Sequence, residues 1–138
     1  MKILAALIVL AGPAAAMDMS DALGGKLRLL DKLTGQITDL TLSNGQSQSV
    51  GKLTVMLDSC RYPADNQTAE AEAHVTIVDA SSPKPVFDGW MIASSPALSA
   101  LDHPRYDVWV MRCDVADLVL PAPETVPDQP ATDAGSGQ

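Results

Sequence analysis

Side chains that could support acid–base catalysis are concentrated in residues 88–109, a stretch that also holds both tryptophans. A hydrolase interpretation makes His103 the general base and uses Asp102 or Asp107 to orient its ring. Ser94 or Ser95 would then act as the nucleophile. Neither serine lies in a G-x-S-x-G nucleophile elbow, and no glycine-rich loop for an oxyanion hole follows them. We therefore assign no catalytic residue and favour a protein that is not an enzyme, with an envelope hydrolase as an alternative.

The two histidines are the candidates for metal ligands, because imidazole and carboxylate side chains together bind zinc. His74 lies beside Glu72, His103 is far along the chain, and no ligand motif such as H-E-x-x-H is present. The sequence therefore predicts no metal site and no cofactor. His74 falls on the polar face of an alternating segment, which favours an ordinary surface histidine.

Trp90 and Trp109 allow a third function, the binding of a small molecule or glycan on an exposed indole ring. The chain has two Trp, two Tyr and one Phe. Because so few aromatic residues are available, we expect both tryptophans to be large pieces of the core. Exposure of either indole would support the binding function instead.

Cys60 and Cys113 each close a predicted strand. In an exported chain such a pair indicates a disulfide, because the compartment is oxidising and no odd thiol is left. A redox pair would favour C-x-x-C spacing, and a metal site would need more ligands. We predict a Cys60–Cys113 disulfide that contributes roughly 4 kcal/mol in the loop-closure model. The strand that starts at Arg105 should pair near the strand that ends at Cys60.

Residues 1–16 have the pattern of a secretory signal peptide. Lys2 provides the positive start, residues 3–12 form an apolar run, and residues 14–16 offer an A-x-A cleavage site. The apolar run is too short for a transmembrane helix, which needs roughly 20 residues. Cleavage before Met17 predicts a periplasmic or secreted protein with no stable membrane insertion.

Composition divides the rest of the chain into a domain with two flexible ends. Residues 17–25 are small and polar, which predicts a flexible leader. Residues 118–138 are rich in proline and acidic residues and contain no Lys or Arg, which predicts a disordered acidic tail. The folded β domain is expected over residues 26–117. The tail could also serve as a docking segment for a basic partner.

Acidic residues outnumber basic ones by seventeen to nine, which gives a formal net charge of −8. No basic stripe is present to neutralise phosphates, so the sequence argues against nucleic-acid binding. The negative charge also argues against docking on an anionic membrane surface. An envelope protein is the partner class that we retain, and the sequence leaves the oligomeric state open.

Alternating apolar and polar residues dominate the folded part and predict strands. This period of two is clearest over residues 53–57, 71–77 and 106–110, and the Asn-Gly pair at 44–45 predicts a tight turn. We therefore predict an all-β fold. Its expected form is a compact antiparallel sandwich or partly open barrel of about six short strands with one short helical turn.

Residues 94–101 predict the short helix. Ser95 is a suitable N-cap and Pro96 occupies the first helical position. Leu98 and Leu101 lie three residues apart on one face, which we expect to pack on the core.

The same segment carries the candidate interaction surface. Ser99 and Asp102 should point outward from the helix, with His103 beside them at the helix end and Asp107 shortly after. Proline turns stiffen this loop, which lowers the entropy lost when a partner binds.

Several segments resemble a small exported alphaproteobacterial family known as domain of unknown function 2155. The similar segments are residues 29–35 (LLDKLTG), 60–63 (CRYP), 89–104 (GWMIASSPALSALDHP) and 106–110 (YDVWV), within a match over about 26–114. The resemblance implies an envelope location and supplies no activity or site residue. We therefore expect a non-catalytic periplasmic binding or scaffold module of the cell envelope with an unknown partner.

Overall fold

The computed structural model describes residues 16–115, which form eight strands and one 3-10 turn. The strands are β1 (Met19–Asp21), β2 (Gly24–Asp31), β3 (Ile37–Ser43), β4 (Gln46–Val50), β5 (Leu53–Pro63), β6 (Glu72–Asp79), β7 (Phe87–Ile92) and β8 (Tyr106–Asp114). All strand pairings are antiparallel. The all-β prediction is confirmed. Within residues 16–115 no helix has the length and apolarity required to cross a membrane.

The strands form two sheets that pack face to face. The larger sheet has the order β1-β5-β6-β7, with β4 also paired to β5, and the smaller sheet has the order β3-β2-β8. The alternation predicted over 53–57 and 71–77 places Leu57, Val75 and Ile77 in the fully buried core. The sandwich form of the prediction is therefore the one found.

The predicted Asn44–Gly45 turn is present, but it does not close a hairpin, because β3 and β4 belong to different sheets. Gly45 has a φ of 79°, in the left-handed region that favours glycine. The Asn44 side-chain amide donates to the Ala22 carbonyl (2.8 Å), and the Gly45 N–H donates to the Leu57 carbonyl (2.7 Å). These bonds hold the corner where the chain crosses from one sheet to the other.

The folded domain begins earlier than the sequence predicts. Residues 17–25, which we expected to be a flexible leader, contain β1 and the first two residues of β2. β1 pairs with the end of β5, where Met19 lies opposite Pro63. Gly24 and Gly25 are buried between β3 and β8, a close backbone approach that their lack of side chains permits. Main-chain pairing orders this segment without an apolar face.

Two of the sequence predictions concern chain ends that the structure does not describe. The signal peptide over 1–16, apart from its last residue, lies outside the described residues, and so does the tail over 118–138. Both stay predictions.

Cys60 and Cys113 lie at disulfide distance, with their Cα atoms 5.6 Å apart. The pairing expected between their two strands is wrong, because β5 belongs to the larger sheet and β8 pairs with β2 in the smaller one. Both cysteines are buried. The disulfide therefore joins the two sheets across the core and does not link neighbouring strands.

The predicted helix is a single 3-10 turn over Pro96–Leu98. Proline occupies the first turn as expected, but the Ser95 side chain makes no capping hydrogen bond. Leu101 is buried, with 6% of its surface exposed, whereas Leu98 is 77% exposed. The expectation that both leucines face the core is wrong, because the turn ends at Leu98 and Leu101 lies beyond it, where helical spacing no longer applies.

Candidate functional site

His103 is held in place by hydrogen bonds on both ring nitrogens. Its Nδ1 accepts the backbone N–H groups of Arg105 and Tyr106, both at 3.1 Å. The proton must then reside on Nε2, which donates to the Asp79 carboxylate at 2.8 Å. Only 12% of the His103 side chain is exposed. This ring has no free lone pair for a general base, which contradicts the hydrolase interpretation.

Asp79, at the end of β6, is the anion that orients this histidine. The hydroxyl and backbone N–H of Ser81, together with the His103 ring, donate to the carboxylate and lower the pKa of Asp79 to about 2. The carboxylate therefore stays ionised at neutral pH and is already surrounded by donors. We interpret the pair as structural, because it ties β6 of the larger sheet to the start of β8 in the smaller sheet.

Arg105 forms a second ion pair next to the first. Its guanidinium donates to the Asp31 carboxylate at 2.7 Å, and the backbone N–H groups of Leu33 and Thr34 donate to the same carboxylate. Chiefly because of Arg105, the pKa of Asp31 is lowered to about 2. Lys32 adds a hydrogen bond to the His103 carbonyl at 2.8 Å. The loop before β8 is thus anchored to the turn that follows β2.

The four residues of the predicted interaction surface have different environments. Asp102 is exposed, and Ser99 is half-buried. Asp107 is half-buried and forms an ion pair with Lys32 at 3.2 Å. His103 bonds to Asp79 and does not project beside them, so that expectation is wrong.

The candidate serine nucleophiles do not contact His103. The Ser94 hydroxyl donates to Glu70, and the Ser94 N–H donates to the same carboxylate at 3.0 Å. Although burial opposes the shift, these bonds lower the pKa of Glu70. Ser95 lies next to the Ser94 hydroxyl at 3.5 Å. The residues proposed for a hydrolase therefore do not assemble into a triad.

Neither tryptophan belongs to the buried core, so the expectation for Trp90 and Trp109 is wrong. Met91 is buried next to Trp90, and Val108 and Val110 are buried next to Trp109. Because successive strand residues point to opposite faces, both indoles lie on the outer faces of their sheets. The alternation over 106–110 already indicated that Trp109 lies on the face of the strand opposite to Val108 and Val110.

Trp90 is the centre of a polar network on the outer face of the larger sheet. The Arg61 guanidinium lies 4.0 Å from the centre of the Trp90 ring, and the His74 ring meets it edge-on at 5.2 Å. His74 lies between Asp58 (3.1 Å) and Asp88 (3.6 Å). Among residues 16–115, no group of three or more His, Cys, Asp or Glu side chains is placed to hold a metal ion.

A cavity of about 280 Å³ lies between residues 96–101, which we call the 3-10 turn segment, and β8. We call it the loop cavity. Its lining from β8 consists of Asp107, Val108 and Trp109, which are consecutive residues. Since consecutive strand residues point to opposite faces, a cavity that contacts all three lies against the edge of the strand. The other edge of β8 is paired with β2, so the loop cavity lies along the free edge. Its remaining lining is apolar and comes from the loop: Pro96, Ala97, Ala100 and Leu101.

A second cavity, of about 260 Å³, lies farther along β8, and we call it the disulfide cavity. It contacts the consecutive residues Met111, Arg112 and Cys113, and it is closed by residues 67–71 and 93–94. By the same argument it lies against the free edge. The two cavities together, with Val110 between them, are termed the β8-edge groove. Sequence reasoning missed this groove, because which edge of a strand stays unpaired depends on long-range sheet order.

The comparisons with known proteins identify relatives of unknown activity. The chain is 28% identical over 92 residues to an uncharacterised protein of Rickettsia prowazekii (strain Madrid E), a match that covers 64% of this chain and 59% of that protein. This chain therefore spans less than two thirds of that relative's length. No solved structure matches the chain. The family model described as an uncharacterised protein conserved in bacteria (DUF2155) matches residues 25–113. This match covers more than half of the chain and all of β2 to β8 except the first residue of β2 and the last residue of β8, so the protein belongs to that family.

Proposed function

We propose that this protein is a non-catalytic binding module of the bacterial cell envelope, and that the β8-edge groove is its binding site. The observation that carries the proposal is the free edge of β8, which faces two cavities along its length. Native sandwiches commonly cover or shorten such an edge, because an unpaired edge strand is a template for further pairing. Here β8, a strand of nine residues, has one unpaired edge, which lies beside an apolar loop.

Two of the large apolar side chains that are exposed within residues 16–115 lie beside the groove, whereas others, such as Leu33 and Ile37, lie elsewhere. Leu98 is 77% exposed beside the loop cavity, and Met111 is 39% exposed beside the disulfide cavity. Trp109 adds a half-buried indole to the lining of the groove. Exposed apolar residues that surround a concave surface are typical of protein-binding sites. The groove therefore supports a protein partner better than a soluble ionic ligand.

Two features support a location in the cell envelope. The signal-peptide pattern of residues 1–16 predicts export, and the Cys60–Cys113 pair at disulfide distance fits an oxidising compartment. In the proposed role, the disulfide fixes the end of β8 to β5 of the other sheet. A rigid edge loses less entropy when a partner binds.

A glycan or small-molecule binder is the second candidate, and the Trp90 network favours it. Trp90, Arg61 and His74 combine an indole with hydrogen-bonding groups on one outer face, which is the chemistry that sugar binding uses. Titration with soluble peptidoglycan fragments, followed by tryptophan fluorescence, tests this candidate. A Trp90→Ala variant that binds as well as the unchanged protein would eliminate it.

Site-specific photo-crosslinking tests the proposed function. A photoreactive amino acid replaces the exposed Ala97 in the loop cavity, and a control protein carries it at the exposed Ser47 on β4. In cells that encode the protein, we expect a defined envelope-protein adduct from position 97 and none from position 47. Equal adducts from both positions, or none from position 97, would contradict the proposal.

A further inference from the structure

The backbone of β8 leaves hydrogen-bonding groups unpaired in the groove. The Lys32 N–H donates to the Arg105 carbonyl at 2.8 Å. Because bonded and non-bonded pairs alternate in an antiparallel ladder, Asp107 and Trp109 also bond to β2, whereas Val108 and Val110 direct their N–H and C=O groups to the free edge. Within residues 16–115, neither valine has a hydrogen-bond partner on that side.

We infer that the β8-edge groove binds an extended segment of another protein, which adds to the smaller sheet as a strand next to β8. This inference rests on the proposed function and names the chemistry of its partner. The donors and acceptors of Val108 and Val110 match the spacing of another extended backbone. A groove from Asp107 to Cys113 accommodates about seven residues at roughly 3.3 Å each.

The two cavities define the side chains that the segment must carry. The loop cavity is lined by alanine, leucine and valine side chains, so it takes an apolar residue. The disulfide cavity is lined partly by Ala69, Ala71 and Ala93, so it takes another. Since strand side chains alternate, apolar residues at every second position fit both cavities with one backbone.

Charge adds a third requirement. Arg112 lines the disulfide cavity, is exposed, and has no carboxylate partner within residues 16–115. The nearby Glu70 is already bonded to Ser94. Glu70 keeps its negative charge in that bond, so the group left free to form a new ion pair in this part of the groove is the Arg112 guanidinium. The partner segment carries an acidic side chain at the end that meets Arg112.

A separate protein fits the groove better than a second copy of this chain. Antiparallel twofold pairing of two β8 strands would place residues 96–101 of each copy against the residues that line the disulfide cavity of the other copy, so each end of the groove would have to hold both lining segments at once. A single extended segment brings no such loop. Another occupant to be tested is the chain's own C-terminal segment, which follows β8.

The experiment uses the exported chain with its disulfide intact and a set of synthetic peptides of about seven residues. Threonine alternates with alanine, valine, leucine or phenylalanine, the ends are blocked, and a glutamate lies at one end. Binding is followed by NMR through the amide exchange of Val108 and Val110. We expect at least one peptide to slow both amides about tenfold at about 1 mM.

Matched controls separate strand addition from other binding modes. The same peptides N-methylated at alternate residues keep their side chains and lose backbone donors, so we expect them not to bind. Arg112→Glu should weaken the glutamate peptide and favour its lysine counterpart, whereas Lys52→Glu, at an exposed position in the turn between β4 and β5, should change neither.

Four results would overturn the inference: no peptide binds, N-methylated peptides bind equally well, the protein sediments as a dimer paired through β8, or peptides bind only after truncation at Asp117. The last result would identify the C-terminal segment as the occupant. If an adduct still forms from position 97 while the peptides fail, the groove binds a partner in another way. The proposed function would then stand and the strand inference would fall.

Discussion

Both ring nitrogens of His103 are occupied, one by Asp79 of β6 and the other by backbone N–H groups at the start of β8. From sequence, a histidine between an aspartate and a proline in a loop favours a structural role but is also compatible with catalysis. What decides between them is Asp79, a residue distant in the chain that no local motif connects to His103. For this reason the structural role of His103 could not be predicted from sequence.

Substitution of His103 tests the structural role. His103→Ala leaves the Arg105 and Tyr106 N–H groups and the buried Asp79 without their partner, so we expect the free energy of unfolding to fall by about 1–3 kcal/mol. The matched control is Asp102→Ala at the exposed neighbouring position, with an expected change within about 0.5 kcal/mol. Urea denaturation measures both. Equal effects from the two substitutions would contradict the structural assignment.

Acid stability gives a second test at the level of single residues. The pKa of Asp79 is about 2 in the folded protein against the ordinary 3.8, so its contribution is present above about pH 4 and is lost as the pH falls towards 2. The pKa of Asp31 is similarly lowered, as is the pKa of Asp39 on β3, whose carboxylate accepts hydrogen bonds from Arg28, and both act in the same direction. We expect Tm to fall steeply between these pH values, and less steeply for Asp79→Asn. Parallel pH profiles for the two proteins would show that Asp79 is not responsible.

Strands were the predictable part of the fold, and their pairing was not. The alternation over 53–57 and 71–77 indicated β5 and β6 because side-chain burial leaves a local period of two. The Asn-Gly turn was also predictable, but the change of sheet at this turn was not, since it is held by hydrogen bonds to Ala22 and Leu57, which lie outside the turn. Likewise, β1 has no apolar pattern and is ordered by backbone pairing alone.

The disulfide is the element-level contact with the largest expected effect. Because it joins β5 to β8 across the two sheets, its removal leaves them held together by core packing and by the Asp79–His103 bond. We expect the double substitution Cys60→Ser with Cys113→Ser to lower the free energy of unfolding by about 2–5 kcal/mol. Thiol titration of the unfolded, unreduced protein provides the control. Two free thiols in that titration would show that the exported protein lacks the bond.

At the scale of the whole molecule, a three-stranded sheet packs on a larger one and leaves the edge of β8 open. Local sequence patterns, above all the alternation of apolar and polar residues, correctly indicated an all-β fold. They carried no information on the groove, because the groove forms from the 3-10 turn segment, the disulfide region and an edge that only the complete sheet order defines.

The acidic tail gives a prediction for the whole molecule. Residues 118–138 contain no alternating or helical apolar face, so we expect truncation after Asp117 to leave Tm within about 2 °C. Differential scanning calorimetry of the two lengths makes the comparison. A fall of several degrees would show that the tail packs on the domain.

Amide hydrogen exchange of the full exported chain, measured by NMR, shows whether the edge of β8 is open. Asp107 and Trp109 bond to β2, whereas Val108 and Val110 direct their N–H groups into the groove. We expect the amides of Val108 and Val110 to exchange about 100-fold faster than those of Asp107 and Trp109. Equal protection at all four amides would mean that another segment already covers this edge, and β8 would then offer no open edge to a partner.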